Sequence, residues 1–360
     1  MDLIVEKFKA CLYGGAIGDA LGAPVLALSR EGIRRKFGPE GLVDYVPAYG
    51  RYGRLGAITS NTQMTLFTLE GLFRADLRFE VRGIVHMPSM VLMSYKMWYC
   101  SQAYRQPIPM LRRFSGYLLS RAELRHRRAP SRTCLVVLSE HALSCSLCPT
   151  KADNNSQGCA ALTRSAPIGL YWFVDPFKCA VEVAQITHGH VNAQIAAGFF
   201  ALVIHQLRDG DSLSVSLDKA FQKLAKYPQS QEMLAALQAA LTLAKDESIA
   251  PEDAIARLGL GWTAAQALAI AIYCSLKAKS FPHGVLLAVN HDGNSAGTAA
   301  LTGHILGLIY GLAGVPERWR TELEVKDLIE EMSMDKYLVG KADSYSKNDD
   351  FDLLLKKYPC

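Results

Sequence analysis

The 360-residue chain has no stretch rich in proline, serine and glycine and no run of like charge that would mark a linker. Length alone suggests two domains, but without a divider one large core is expected over residues 1–345, with 346–360 as a C-terminal tail. The longest apolar runs, Ile195 to Ile204 and Ile305 to Val315, fall short of the roughly 18 residues a membrane-spanning helix needs. The N-terminal Met-Asp-Leu-Ile-Val-Glu-Lys-Phe-Lys-Ala has charges where a signal peptide needs an apolar core. Both absences predict a soluble, cytoplasmic protein without a membrane partner. The nine cysteines are an odd number with no export signal, and read as reduced thiols packing as small hydrophobes. Cys145-Ser-Leu-Cys148, with His141 nearby, has zinc-like spacing but no second close ligand pair, so a packed or loop thiol pair is the default. Segments of strand-like alternation are missing too, and no fixed-period repeat is present.

What is present is helix. Periodic apolar stretches recur at Glu6 to Ala20, Gln63 to Arg74, Ala193 to Leu207, Ser212 to Ala225, Glu232 to Ala244 and Thr263 to Ala278. Half the residues are hydrophobic and a fifth charged, enough apolar surface for a sizeable core. The expected class is all-α, a single compact helical domain.

The net charge of +5 permits acidic partners without requiring nucleic acid. Much of it is local: Arg112, Arg113, Arg121, Arg125, Arg127, Arg128 and Arg132 have only Glu123 as an acid among them. Such a run is either a solvated face or a patch for phosphates or an acidic protein.

The chemistry-bearing residues cluster in polar or glycine-rich segments. Asn290-His291-Asp292-Gly293-Asn294-Ser295-Ala296-Gly297-Thr298 reads as a loop feeding a helix, with Asp292 its only carboxylate. Gly14 to Pro24 carries glycines on a helical background, allowing close approach by a helix or a ligand. Thr59-Ser60-Asn61-Thr62 suits a helix N-cap. Two further segments are Asn154 to Arg164, followed by Ala166-Pro167-Ile168-Gly169, and Thr187-His188-Gly189-His190.

In this order the segments resemble the ADP-ribosylglycohydrolase family, all-α hydrolases that include the dinitrogenase reductase-activating glycohydrolase. Arg128-Ala129-Pro130-Ser131-Arg132-Thr133-Cys134 resembles the family's RAPGNTC element, and Leu258-Gly259-Leu260-Gly261-Trp262-Thr263-Ala264 matches another. Several independent motifs in order are more specific than any one.

The resemblance implies what the chain has lost. Active members hold two Mg²⁺ ions between a Thr-Asp-Asp-Thr motif and a Gly-Asp-Ser-Asp-Ser/Thr motif. At the corresponding positions stand Thr59, Ser60, Asn61 and Thr62, then Asn294, Ser295, Ala296 and Gly297, and a further family acid is Leu26. Each carboxylate near a cation is worth on the order of several kcal/mol at an effective dielectric of about 20, so loss of the binuclear magnesium site is expected, with no cofactor. Asp19 and Asp292 read as capping acids or as attractors of a single weak ion.

For the ligand, the resemblance points to Ser156, Gln157, Gly158, Cys159 and Ala160, whose backbone N–H groups would wrap the diphosphate and ribose, with Ala160 replacing a glycine, and to His188 beside the pocket. The expectation is a pseudoenzyme binding ADP-ribose, an ADP-ribosylated protein or an ADP-ribosyltransferase, suited to an immunity-type role. The alternative is a metal-independent hydrolase with Asp19, Asp292 or His188 as general base.

Overall fold

A computed structural model describes residues 3–48, 53–102, 116–143, 148–171, 175–341 and 349–360. Arg112, Arg113 and Cys145 lie outside them. Regular structure among the described residues is helical, apart from one isolated bridge between Gly158 and Thr263, and forms one compact domain. Every helix expected from the sequence is there: Leu3–Gly22, Ser60–Arg82, Val191–Asp209, Leu213–Leu224, Gln231–Lys245 and Ala264–Lys277, with Ser295–Tyr310 after the late polar loop.

The centre is the crossing of Leu3–Gly22 with Ser295–Tyr310, onto which Ala264–Lys277 and Val191–Asp209 pack. Glycines make this crossing close. A Cβ on Gly14 would lie 2.0 Å from the carbonyl oxygen of Gly303, one on Gly18 would lie 2.0 Å from that of Ala299, and one on Gly22 would lie 2.5 Å from the Ala296 backbone. Spaced four apart, the three glycines line one helix face, so the glycine segment forms the second half of the first helix, and of the two approaches it allows, the one present is that of a helix. Ala296 therefore sits in the crossing that positions its whole loop.

The last segment, set apart in the sequence as a tail, is folded from residue 349 onward. Helix Asp349–Lys357 buries Phe351 and Leu354, and Tyr358 is fully buried. The Tyr358 ring packs 5.0 Å from that of Phe73, and its hydroxyl donates to Asp335 at 2.6 Å. Arg74, paired with Glu70 at zero exposure, donates to the Pro359 carbonyl. A buried ion pair stays only where remaining donors find acceptors, and here the last residues supply one. No single helix among the described residues is long and apolar enough to cross a membrane.

Candidate functional site

The site begins at the N-terminus of Ser60–Arg82, where free N–H groups need acceptors. Thr59 caps the helix through its own hydroxyl, which accepts from the Asn61 N–H at 3.1 Å. Asp19, fully buried on the first helix, takes the rest. Its carboxylate accepts from the N–H of Thr59 at 2.8 Å and of Thr62 at 3.2 Å, from the hydroxyls of Thr59 and Thr62 at 2.5 and 2.7 Å, and from the Asn61 amide at 3.1 Å. Burial pushes the Asp19 pKa up, and those donated bonds pull it down. Asn61 accepts in turn from the Thr163 hydroxyl at 3.0 Å. The motif's remaining hydroxyl, on Ser60, donates to the Ala129 carbonyl at 3.2 Å, and the Ser60 N–H donates to the Arg128 carbonyl.

Across the site, Asn294 caps Ser295–Tyr310 by accepting from the Gly297 N–H at 3.2 Å. Its amide donates to the Gly261 carbonyl and the Cys159 sulfur, each at 3.0 Å. Burial pushes the Cys159 thiol up to about 12, so it is a protonated, packed group. Asp292 turns away and accepts from the Arg30 N–H at 2.8 Å, at the start of helix Arg30–Phe37. His291, buried beside it, bonds the Thr298 hydroxyl at 2.8 Å.

Between these two ends lies the loop from Asn154. Asn154 holds it together: one oxygen accepts from the N–H groups of Ser156 and Gly189, and its amide donates to the Thr187 carbonyl. The two chains approach so closely that a Cβ on Gly189 would lie 1.9 Å from the Asn154 carbonyl oxygen. The Ser156 hydroxyl meets that of Thr133 at 3.0 Å, the Cys159 N–H donates to the Trp262 carbonyl, and the Ala264 N–H donates to that of Gln157. The Gly158 N–H lies 3.4 Å from the Ser156 hydroxyl. The N–H groups of Ser156, Gly158 and Cys159 thus point at protein, and Ala160 packs half-buried against the core. An open backbone nest needs such groups free.

His188 is fully buried. Its Nδ1 faces the Thr187 hydroxyl at 2.8 Å, and its Nε2 has no partner among the described residues. Burial first, and the Arg164 guanidinium second, push its pKa down to about 3. Arg164 has zero exposure and lies 4.4 Å over the Tyr95 ring. Sequence reasoning left Arg164, Thr187, Asn154 and Thr163 unassigned; the signal available was a lone charge in the otherwise uncharged run Ala160 to Leu170.

Alongside Ser156 opens a cavity of about 540 Å³. Arg132, Thr133, His141, Lys151 and Asn154 contribute to its wall. The size is that of an ordinary small-ligand pocket. The other described arginines of the basic run do not form one face with Arg132. Arg121 pairs with Glu123 and Glu331, Arg125 donates to the carbonyls of Leu119 and Ser120, and Arg128 forms a buried pair with Glu324 at 2.7 Å.

Two magnesium ions need several unengaged oxygens in near-octahedral arrays, and the residues present do not fit them. Asp19, Asn61 and Asn294 direct their oxygens at protein donors, while Ala296 and Gly297 have no polar side chain. Among the described residues no group of three or more His, Cys, Asp or Glu could hold a metal ion.

These elements define an all-α protein in which seven separated segments meet in one hydrogen-bonded polar network. The model of the ADP-ribosylglycohydrolase family matches residues 1–347, and the chain belongs to that family. An uncharacterized protein of Archaeoglobus fulgidus is 26% identical over 336 residues, spanning 92% of this chain and 96% of that one. A solved structure described as an ADP-ribosylglycohydrolase-related protein complex superposes with a TM-score of 0.65 at 20% identity, covering 93% and 98% of the two chains, and shares the fold.

Proposed function

We propose that this chain binds ADP-ribose, free or attached to a protein, and has lost the family's metal-dependent hydrolysis. The observation that carries the reading is the engagement of Asp19 by five protein hydrogen bonds. A carboxylate so occupied, with neutral asparagines at 61 and 294, supports loss of the binuclear magnesium site. It also weighs against Asp19 as a general base, as the Arg30 bond does for Asp292 and the low pKa does for His188.

Retained binding is supported by the nucleotide-sized cavity beside Ser156, whose wall offers Arg132 and Lys151 to phosphate oxygens and Glu140 and Asp153 to ligand hydroxyls. The protein hydrogen bonds of the loop N–H groups place the burden of recognition on side chains: Ser156, Thr133, Arg132 and Lys151. Cleavage by the family's chemistry would require two unengaged cation sites, so the reading is a binder rather than a catalyst.

Calorimetric titration of ADP-ribose with and without magnesium tests this. Magnesium-independent binding, with no ADP-ribose released from a modified protein, is the expected result. Release that depends on magnesium would overturn it.

A further inference from the structure

Arg164 is a fully buried cation with no carboxylate of the described residues at ion-pair distance. It donates through Nη2 to the Thr187 hydroxyl at 2.6 Å and through Nη1 to the Cys134 sulfur at 3.4 Å, and its Nε has no partner among the described residues. An arginine can only donate, so the Thr187 oxygen accepts. That hydroxyl has one proton to give, and the acceptor facing it among the described residues is His188 Nδ1 at 2.8 Å. A ring nitrogen that accepts carries no proton, and the other must carry it in a neutral imidazole.

We infer that Arg164 and Thr187 are positioning residues that fix His188 as a neutral imidazole with its proton on Nε2, a hydrogen-bond donor held for an acceptor oxygen of the ligand beside Gly158. The direction of the chain runs one way, from guanidinium to hydroxyl to Nδ1. At its end, Nε2 has no acceptor among the described residues, and an unpaired buried donor is a cost that a ligand oxygen would remove. Gly158 marks where that oxygen would come: a Cβ built on it would lie 3.4 Å from both His188 Nε2 and the Ser156 hydroxyl. Ser156 also lines the 540 Å³ cavity, so this point adjoins the space assigned to the ligand. The identity of that ligand rests on the ADP-ribose reading above; the state of the imidazole does not.

The first measurement is therefore made without ligand. In protein labelled with ¹⁵N-histidine, the His188 ring signal is identified by its loss in His188→Gln. The expected result is a protonated Nε2 and an unprotonated Nδ1, kept in Thr187→Ser and lost in Thr187→Val. A protonated Nδ1 in the unaltered protein, or a Thr187→Val ring indistinguishable from it, overturns the inference.

The second measurement uses Gly158→Ala. Gly158 has φ −58°, open to any residue, and the added methyl makes ordinary contacts, so the fold and thermal midpoint should hold. ADP-ribose affinity should fall at least tenfold, as it should in Thr187→Val with recovery in Thr187→Ser. Unchanged affinity in Gly158→Ala and Thr187→Val would overturn the placement of the ligand oxygen. Absence of ADP-ribose binding by the unaltered protein would overturn the proposed function and leave the ring spectrum to decide the imidazole.

Discussion

The two sides of the site treat buried polar atoms differently. Around Asp19, Asn61 and Asn294, each side-chain oxygen and amide has a protein partner. Around the Asn154 loop, Arg164 Nε and His188 Nε2 are buried without one among the described residues. Native interiors pair nearly all such groups; the first side comes close, with His291 Nδ1 left without a partner among the described residues, while the second leaves a nitrogen on each of two neighbouring side chains for a ligand or water. At the first side Asn61 and Asn294 tie separate segments together through both the oxygen and the amide of their side chains.

The sharpest way to break this comparison is to remove Asp19. Asp19→Ala would leave two backbone N–H groups, two hydroxyls and one amide without their acceptor. At about 1–3 kcal/mol for each donor left unpaired, with partial relaxation, the loss should reach about 3–5 kcal/mol. Urea denaturation midpoints read it directly. A loss below about 1 kcal/mol would mean the junction is not a structural knot.

Asn294→Asp comes next. The new carboxylate would face the Gly261 carbonyl and Cys159 in place of the donated bonds, at an expected cost of about 2–4 kcal/mol. Magnesium should not restore the thermal midpoint. A magnesium-dependent rise would show that the cation site needs one oxygen rather than several.

Acid should also unfold the protein through its histidines. His188, buried on the loop side, has its pKa pushed down to about 3, and His291 and His304 are pushed down to about 4, burial being the main cause in each. An unfolded histidine takes up its proton near 6.5, before the folded one does. The unfolded state therefore binds more protons as pH falls from 6.5 toward 4, and stability present above 6.5 is lost across that window. Roughly 1–2 kcal/mol per histidine should be gone by about pH 5. Asp19 and Glu324, whose pKa values burial raises, act with the opposite sign and blunt the fall. Denaturation midpoints across that range should drop in the parent and drop less in His304→Gln. His304 lies in the central helix crossing, its Nδ1 bonded to the Cys11 carbonyl at 2.8 Å, which separates a packing effect from one at the site.

The helices were legible because their apolar period is local, and the late loop feeding Ser295–Tyr310 because its residue types switch abruptly. The C-terminal helix was legible in principle: Phe351, Leu354, Leu355 and Tyr358 have helical spacing, but their partners, Phe73 and Asp335, are distant in the chain. Asp19 shows the same limit. A buried aspartate on a glycine-rich helix looks like a ligand until the Thr59–Thr62 helix start is known to lie against it. Arg164 is the extreme case, since its lone charge in an uncharged run hints at burial, but nothing near it in sequence names Tyr95 and Thr187 as its partners.

The smallest expected effect lies in the basic run, where side chains are exposed and partners replaceable. Arg125 donates to the carbonyls of Leu119 and Ser120 from an exposed position. Water replaces such bonds at little cost, so Arg125→Ala should shift stability by no more than about 0.5 kcal/mol. Arg128, in the same run, is buried against Glu324, and removing it would leave that carboxylate short of a buried cation, a loss of about 3–5 kcal/mol. If denaturation midpoints gave the two variants equal losses, burial would not be what separates structural from dispensable charge in this protein. The same ranking fixes where ligand charge should be sought: Arg132, on the cavity wall, is the arginine whose removal should weaken ADP-ribose binding while leaving the denaturation midpoint near that of Arg125→Ala.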